Sequence, residues 1–244
     1  MKPFLVLQLR PETETSDDEY QAILDKGGLE ASQTTRIRLD QQPLPADLDL
    51  DDHAGVIVGG GPGCVSDEEN KKTDIEKQIE EAVFSLMPAV TGNDIPFLGC
   101  CYGIGILAHH LGAEVNKDRY SEVVGAVECH LTKDGSMDPI LEGFPDRFMA
   151  FVGHKEAVQN LPDECAHLLS SDPCPFQMIR YKSNVYATQF HPEADSDVFE
   201  TRINVYRNKG YFPPSDADKI IELCHQQDVR VPGQILKNFV DTYK

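Results

Sequence analysis

Positive charge is scarce in this chain. Its 244 residues carry 22 Lys and Arg against 41 Asp and Glu, a formal net charge of -19 at pH 7. That balance repels a nucleic-acid backbone and an anionic membrane surface alike, so neither nucleic acid nor membrane is expected as a partner. Long apolar runs are also missing. The opening stretch "MKPFLVLQLRPETE" has too short an apolar part for a signal peptide and turns acidic at once. No segment approaches the roughly 20 apolar residues that cross a bilayer. Paired cysteine spacing is absent too: the seven cysteines are an odd number with no C-x-x-C. Neither a zinc knuckle nor a thioredoxin-type site is therefore indicated, and reduced thiols in a cytoplasmic protein are the expectation. No metal and no cofactor is expected, and no repeat, low-complexity tract or flexible linker interrupts the chain.

What is present is an alternation of strand and helix signals. "FLVLQLR" (4–10), "TTRIRLD" (34–40), "GVIVGGG" (55–61) and "PFLGC" (96–100) read as strands. Between them, Ser16 is placed to cap a helix that Gly27 and Gly28 would stop. A longer helical stretch is expected from about Asp67 to Met87, with Ile75, Ile79, Val83 and Leu86 at helical spacing. "YGIGILAHHLG" follows the fourth strand as a helix. Strands separated by helices imply a doubly wound parallel sheet with helices on both faces. From about 113 to 190 short strand-like runs dominate, suited to antiparallel strands added beside the parallel core. The tail is mostly helical. The expected architecture is an α/β domain over 1–195 and a helical C-terminal extension over 196–244 packed on the same domain.

"GCCYG" (Gly99 to Gly103) fits the Gly-x-nucleophile-x-Gly pattern with Cys101 at its centre. In a strand-to-helix elbow the central residue is held in a strained turn, and small residues at ±2 let strand and helix pack that closely. The nucleophile then sits at a helix N-terminus, where the dipole favours thiolate over thiol. Cys100, the last strand residue, should point into the core. The bland alternative is a pair of small buried cysteines.

"ATQFHPE" (Ala187 to Glu193) supplies a base and its orienter. His191 follows an apolar strand and should emerge at the sheet edge where the elbow lies. Pro192 keeps it extended, and residues two apart share a face, so Glu193 can meet the imidazole. Cys101, His191 and Glu193 make a chemically complete nucleophile, base and orienter. His53, His109, His110, His130, His167 and His225 show no partner pattern and read as solvated or hydrogen-bonded side chains. "VGGGPGCVSD" (Val58 to Asp67) is a glycine-rich turn with neither a P-loop Gly-Lys-Ser/Thr nor G-x-G-x-x-G. Such a loop can aim backbone N–H groups at a developing oxyanion, with Gly61 and the Tyr102 N–H as the two donors.

With these blocks in order, "GGGPGCVSD", "FLGCCYGIGIL" and "YATQFHPE", the sequence resembles class I glutamine amidotransferases, in type nearest the glutaminase domain of GMP synthase. The resemblance implies a flavodoxin-like sheet and a Cys-His-Glu triad at Cys101, His191 and Glu193. It also implies hydrolysis of the glutamine γ-amide through a γ-glutamyl thioester, with ammonia passed to an acceptor. "VGHKEAV" (Val152 to Val158) resembles the segment whose backbone holds the substrate's α-amino and carboxylate groups, which brings in Gly153, His154 and Lys155. One departure stands out. Where the family usually has His-Gln after the elbow, this chain has Ile104 and Gly105, which removes a polar substrate contact worth ~1 kcal/mol or more. No synthetase module follows residue 193, so the acceptor is expected on a separate synthetase or ligase chain. Two rivals share the sequence features: a γ-glutamyl peptidase or hydrolase acting on a related γ-glutamyl compound, with Gly105 leaving more room, and a non-catalytic regulatory subunit.

Overall fold

Strand β1 (Phe4–Gln8) is buried along its whole length, as a run of successive apolar side chains closed on both faces requires. The computed structural model describes residues 2–244. β1 lies between β2 (Thr34–Arg38) and β3 (Gly55–Val58), and the order continues through β4 (Phe97–Cys100). Two short strands, β5 (Val115–Asn116) and β8 (Ala157–Val158), pair as a separate ribbon. The remaining strands are β6 (Glu122–Leu131), β7 (Arg147–His154), β9 (Cys165–Ser170), β10 (Met178–Tyr181) and β11 (Val185–Thr188). The main sheet has nine strands in the order β2-β1-β3-β4-β11-β10-β9-β6-β7. The first five run parallel and the last four alternate in direction. This is the expected flavodoxin-like parallel core with an antiparallel addition.

Side-chain alternation sorts the strands onto two cores. Leu5, Leu7, Val56, Val58 and Phe97 share one face with residues of α2 (Asp74–Asn93) and α3 (Tyr102–His110). Phe4, Val6, Ile57, Leu98 and Cys100 share the other with α1 (Thr13–Gly27) and α6 (Gly233–Tyr243). α4 (Ser196–Tyr206) and α5 (Ala217–His225) build a third cluster, where Phe199 stacks on Phe151 of β7 with ring centroids 4.5 Å apart. Among the described residues no helix is long and apolar enough to cross a membrane.

Two helix starts differ from the sequence reading. α1 begins at Thr13 rather than after Ser16, with Glu12 extended at the N-cap and the Thr15 hydroxyl donating to the Glu12 carbonyl, 3.0 Å. Ser16 lies inside the helix, buried, with its carbonyl accepting from the Gln8 amide. α2 starts at 74, not 67, because Thr73 and Glu76 form a reciprocal capping box. Ahead of it the chain turns around Lys72, whose ammonium pairs with Glu80 at 2.6 Å. α2 also runs past Met87 and through Pro88 to Asn93, since Val90 and Thr91 extend its buried stripe. The stop at Gly28 is as expected: its φ of 65° and N–H bonds to Leu24 and Asp25 close α1.

Candidate active site

β4 and α3 meet at Cys101, whose φ of 53° and ψ of -91° lie where non-glycine residues are strained. Its N–H donates to the Thr188 carbonyl at the end of β11, 2.7 Å away, which locks the turn to the neighbouring strand. The flanking glycines are not equivalent. A Cβ on Gly99 would lie 3.0 Å from the Gly103 carbonyl carbon and 2.9 Å from the Phe97 ring. A Cβ on Gly103 would meet nothing outside its own helix nearer than 3.9 Å. The steric demand of the elbow therefore falls on Gly99. Cys100 belongs to the core on the opposite face, packed with Phe4, Val6 and Leu98.

His191 sits just beyond β11, held by its N–H to the Phe151 carbonyl at 3.0 Å. Its Nδ1 is 2.9 Å from Glu193 Oε1. The same carboxylate oxygen accepts from Arg202 Nη2 of α4 at 2.8 Å. Arg202 also approaches Glu19 of α1 at 3.6 Å, and Glu19 binds Arg10 Nε at 2.7 Å. Arg10 in turn donates to the Tyr206 hydroxyl, 3.2 Å. Arg10, Glu19, Glu193 and Arg202 are all at most 5% exposed, so His191 is tied into a buried knot of two cations and two carboxylates. Gly59 and Gly60 make room for it. A Cβ on Gly59 would overlap the Glu19 carboxylate, and one on Gly60 would lie 2.6 Å from the His191 ring.

Burial sets the resting protonation. It pushes the Cys101 thiol up to about 12 despite the opposing charge of Arg10. It lowers His191 to about 4, against the pull of Glu193. Burial alone would raise the Glu193 carboxyl, but the charges of His191 and Arg202 outweigh it and hold the group well below the ordinary carboxylate range. At rest the pair is therefore a neutral thiol and a neutral imidazole beside a carboxylate. Desolvation thus works against the thiolate that a helix N-terminus favours.

Cys101 opens onto two adjoining lobes that also share Gly61, Gly153 and Tyr211. The larger lobe includes His191, Arg10 and Arg202. The smaller lobe includes Tyr102, Gly105, His154 and Lys155. Each expected site residue borders one lobe or the other, except Glu193, which stands behind His191; Ile104 is buried in the core. Gly61 is pressed against Leu9 and the Tyr102 ring, a Cβ there lying 3.1 Å from each. Tyr102 is anchored by its hydroxyl to Glu80, 2.5 Å. Lys155 is used in a cation–π contact, its Nζ 4.1 Å from the Tyr211 ring centre. His154 places Nε2 on Glu122 at 2.6 Å and Nδ1 on the Glu156 carbonyl at 2.8 Å, so both nitrogens are engaged away from the cavity. Glu122, His154 and Cys174 bring metal-ligand atom types within 4.8 Å of one another. Glu122 is already bonded to His154, Gln177 and Ser171, so this cluster is satisfied as a hydrogen-bond network.

The family model for class I glutamine amidotransferases matches residues 17–206. The chain belongs to this family. It is 28% identical over 196 residues to one of the subunits of the glutamine-hydrolyzing GMP synthase of Thermoplasma acidophilum, covering 75% of this chain and 90% of that one. It is 31% identical over 149 residues to the glutamine-hydrolyzing GMP synthase of Thermosipho melanesiensis, covering 61% of this chain and 26% of that protein. The match thus spans about a quarter of the length of the longer GMP synthase. In fold it is similar to a glutamine amidotransferase from Thermotoga maritima, with a TM-score of 0.76, 21% identity, and coverage of 100% of this chain and 98% of that one.

Within this amidotransferase, sequence reasoning missed Arg10, Glu19, Arg202 and Glu156. Arg10 carried a usable signal, since it lies just past the C-terminal end of a parallel strand, the edge where α/β sheets bind ligands. Glu156 explains Gly105. Its Oε1 lies 3.1 Å from where a Cβ on residue 105 would be, so carboxylate and glutamine side chain compete for one space. The Glu156 carboxylate accepts from Val65 N at 2.8 Å, Ser66 N at 2.9 Å and Ser66 Oγ at 2.7 Å. Burial raises its pKa against these bonds and against the charge of Lys117.

Proposed function

We propose that this amidotransferase hydrolyses a γ-glutamyl amide, glutamine first among them, through a γ-glutamyl thioester on Cys101, and passes the ammonia to a separate synthetase or ligase chain. The observation that carries the reading is the strained Cys101 sharing one cavity with His191, itself oriented by Glu193. With substrate bound, His191 takes the Cys101 proton as Sγ adds to the γ-carbonyl carbon. Gly61 and Tyr102 N–H groups face the oxyanion, whose charge forms only in the transition state and so lowers the barrier selectively. His191 returns the proton to the leaving nitrogen, and water then cleaves the thioester by the same route. Glu193 fixes the imidazole tautomer and stabilises the imidazolium, and Arg202 holds Glu193 in place.

In this reading the smaller lobe takes the amino-acid end of the substrate. Gly153 and the backbone beside His154 and Lys155 bind the α-carboxylate, and Glu156 supplies the anionic partner for the α-ammonium that residue 105 no longer contacts. The Thermoplasma relative is by name one part of a multi-chain synthase, which supports an acceptor on a partner chain. The reading also keeps residues 1–195 as the α/β unit and 196–244 as its helical extension.

The test is glutamine hydrolysis by Cys101→Ala set beside Cys100→Ala, with and without candidate synthetase partners. Cys101→Ala should lose at least a thousandfold in kcat, and Cys100→Ala should stay within a few-fold. Loss confined to Cys100→Ala would overturn the assignment.

A further inference from the structure

We infer that the same site also hydrolyses γ-glutamyl amides whose leaving group is an amino acid, with its apolar side chain in the larger lobe and its carboxylate against Arg10 and Arg202. The inference rests on the Cys101 hydrolase reading and extends its substrate class.

The larger lobe, not the smaller, is bordered by His191. The acid that protonates the leaving nitrogen must be within reach of it, so the leaving group departs on this side. Ammonia needs no built compartment. Here the lobe is walled by Phe199, Ile203, Tyr206, Tyr211 and Phe212, all downstream of the "HPE" that ends the expected triad. Such a wall suits an apolar or aromatic group.

The charges in the lobe are arranged to one sign. Arg10 and Arg202 border it, at 4% and 5% exposure, while Glu19 and Glu193 lie behind them and do not. Arg202 commits Nη2 to Glu193, and its Nε and Nη1 are buried without a hydrogen-bond partner among the described residues. Arg10 commits Nε to Glu19 and Nη1 to Tyr206, and its Nη2 lies beside Gly60 near the His191 ring. Glu19 Oε1 and Glu193 Oε2 are also unpartnered among the described residues but lie outside the lobe, so the free guanidinium donors can still take a carboxylate that enters it, two at once. An α-amino acid joined through its nitrogen to the γ-carbonyl carries both the apolar side chain and that carboxylate.

The step balances with water as co-reactant. The Sγ–carbon bond forms, the carbon–nitrogen bond breaks, and the proton held by His191 goes to the departing α-amino nitrogen. Water then adds to the thioester, freeing glutamate and restoring the thiol.

Glutamate release by the full chain from L-glutamine, γ-glutamyl-phenylalanine and γ-glutamyl-phenethylamide tests this. The expected order is a higher kcat/KM for γ-glutamyl-phenylalanine than for glutamine, and a value at least tenfold lower for the phenethylamide, which lacks the carboxylate. In Ile203→Trp the ratio of γ-glutamyl-phenylalanine to glutamine turnover should fall tenfold or more; a loss of folded protein does not move this ratio. A kcat/KM for γ-glutamyl-phenylalanine equal to or below that for glutamine overturns the inference, and equal values for dipeptide and phenethylamide overturn the role of the arginines. Turnover of glutamine alone removes this inference and leaves the thioester mechanism standing. Turnover of neither removes both.

Discussion

Replacing Arg202 with Met removes one cation from the buried knot while keeping most of the side chain's volume. Glu193 then keeps His191 Nδ1 at 2.9 Å but loses the 2.8 Å bond from Nη2, and Glu19 is left with Arg10 alone. Removing one partner of a buried, hydrogen-bonded pair costs about 3–5 kcal/mol, because the other charge stays buried without compensation. Set against a total stability of roughly 5–15 kcal/mol, that is a large fraction. With a urea m-value of about 3 kcal/mol/M, the unfolding midpoint should fall by about 1–1.7 M. A second effect has a definite sign. After burial, the Arg202 charge helps to hold the His191 pKa down, so its removal raises that pKa and moves the acid limb of kcat/KM to higher pH. Arg202→Lys restores the charge without the planar fork and should fall between. Urea denaturation at pH 7 and a pH–rate profile on the same three proteins give both readings. A destabilisation below about 1 kcal/mol, the value of an exposed ion pair, together with an unmoved acid limb, would refute the argument.

Gly99→Ala should destabilise by about 1–3 kcal/mol through overpacking against Gly103 and Phe97, whereas Gly103→Ala should cost far less; equal costs in thermal or urea melts would contradict the asymmetry of the elbow. His191 is protonated below and neutral above a pKa of about 4, so kcat/KM should rise through about pH 4 and be level by about pH 6. An acid midpoint near the ordinary imidazole value of 6.5 would mean that the base is not desolvated in the free enzyme. Glu156→Gln should raise the KM for glutamine about tenfold with little change in kcat, the signature of lost ground-state binding; a fall in kcat alone would argue against ammonium recognition. Gly105→Gln should not rescue glutamine binding while Glu156 is present, because the new side chain meets that carboxylate.

The parallel half of the sheet was legible because each strand is a short apolar run bounded by turn residues, and β1, β3 and β4 fall within the runs read from the sequence. The elbow was legible for a local reason as well: a strand, a nucleophile and glycines at fixed offsets are all within five residues. Helix starts were less so. Ser16 is a good cap by residue type, but Glu12 already leads the helix and the Ser16 carbonyl is taken by Gln8. A helix N-terminus at Cys101 is visible in sequence, whereas the depth of burial that opposes its thiolate is not. The knot around Glu193 was not legible as a unit. Arg10 follows the first strand, Glu19 lies in the first helix and Arg202 in a helix late in the chain, and no local pattern states that they converge.

That convergence orders events during synthesis. A chain made from its N-terminus at about 5–20 residues per second exposes Cys101 roughly 5–20 seconds before Arg202 is polymerised. Throughout that interval the last link of the charge knot is missing, and His191 and Glu193 are themselves among the late residues. On the proposed mechanism, a nascent chain therefore carries its thiol without the residues that would activate it. Arming waits until α4 is made and docks.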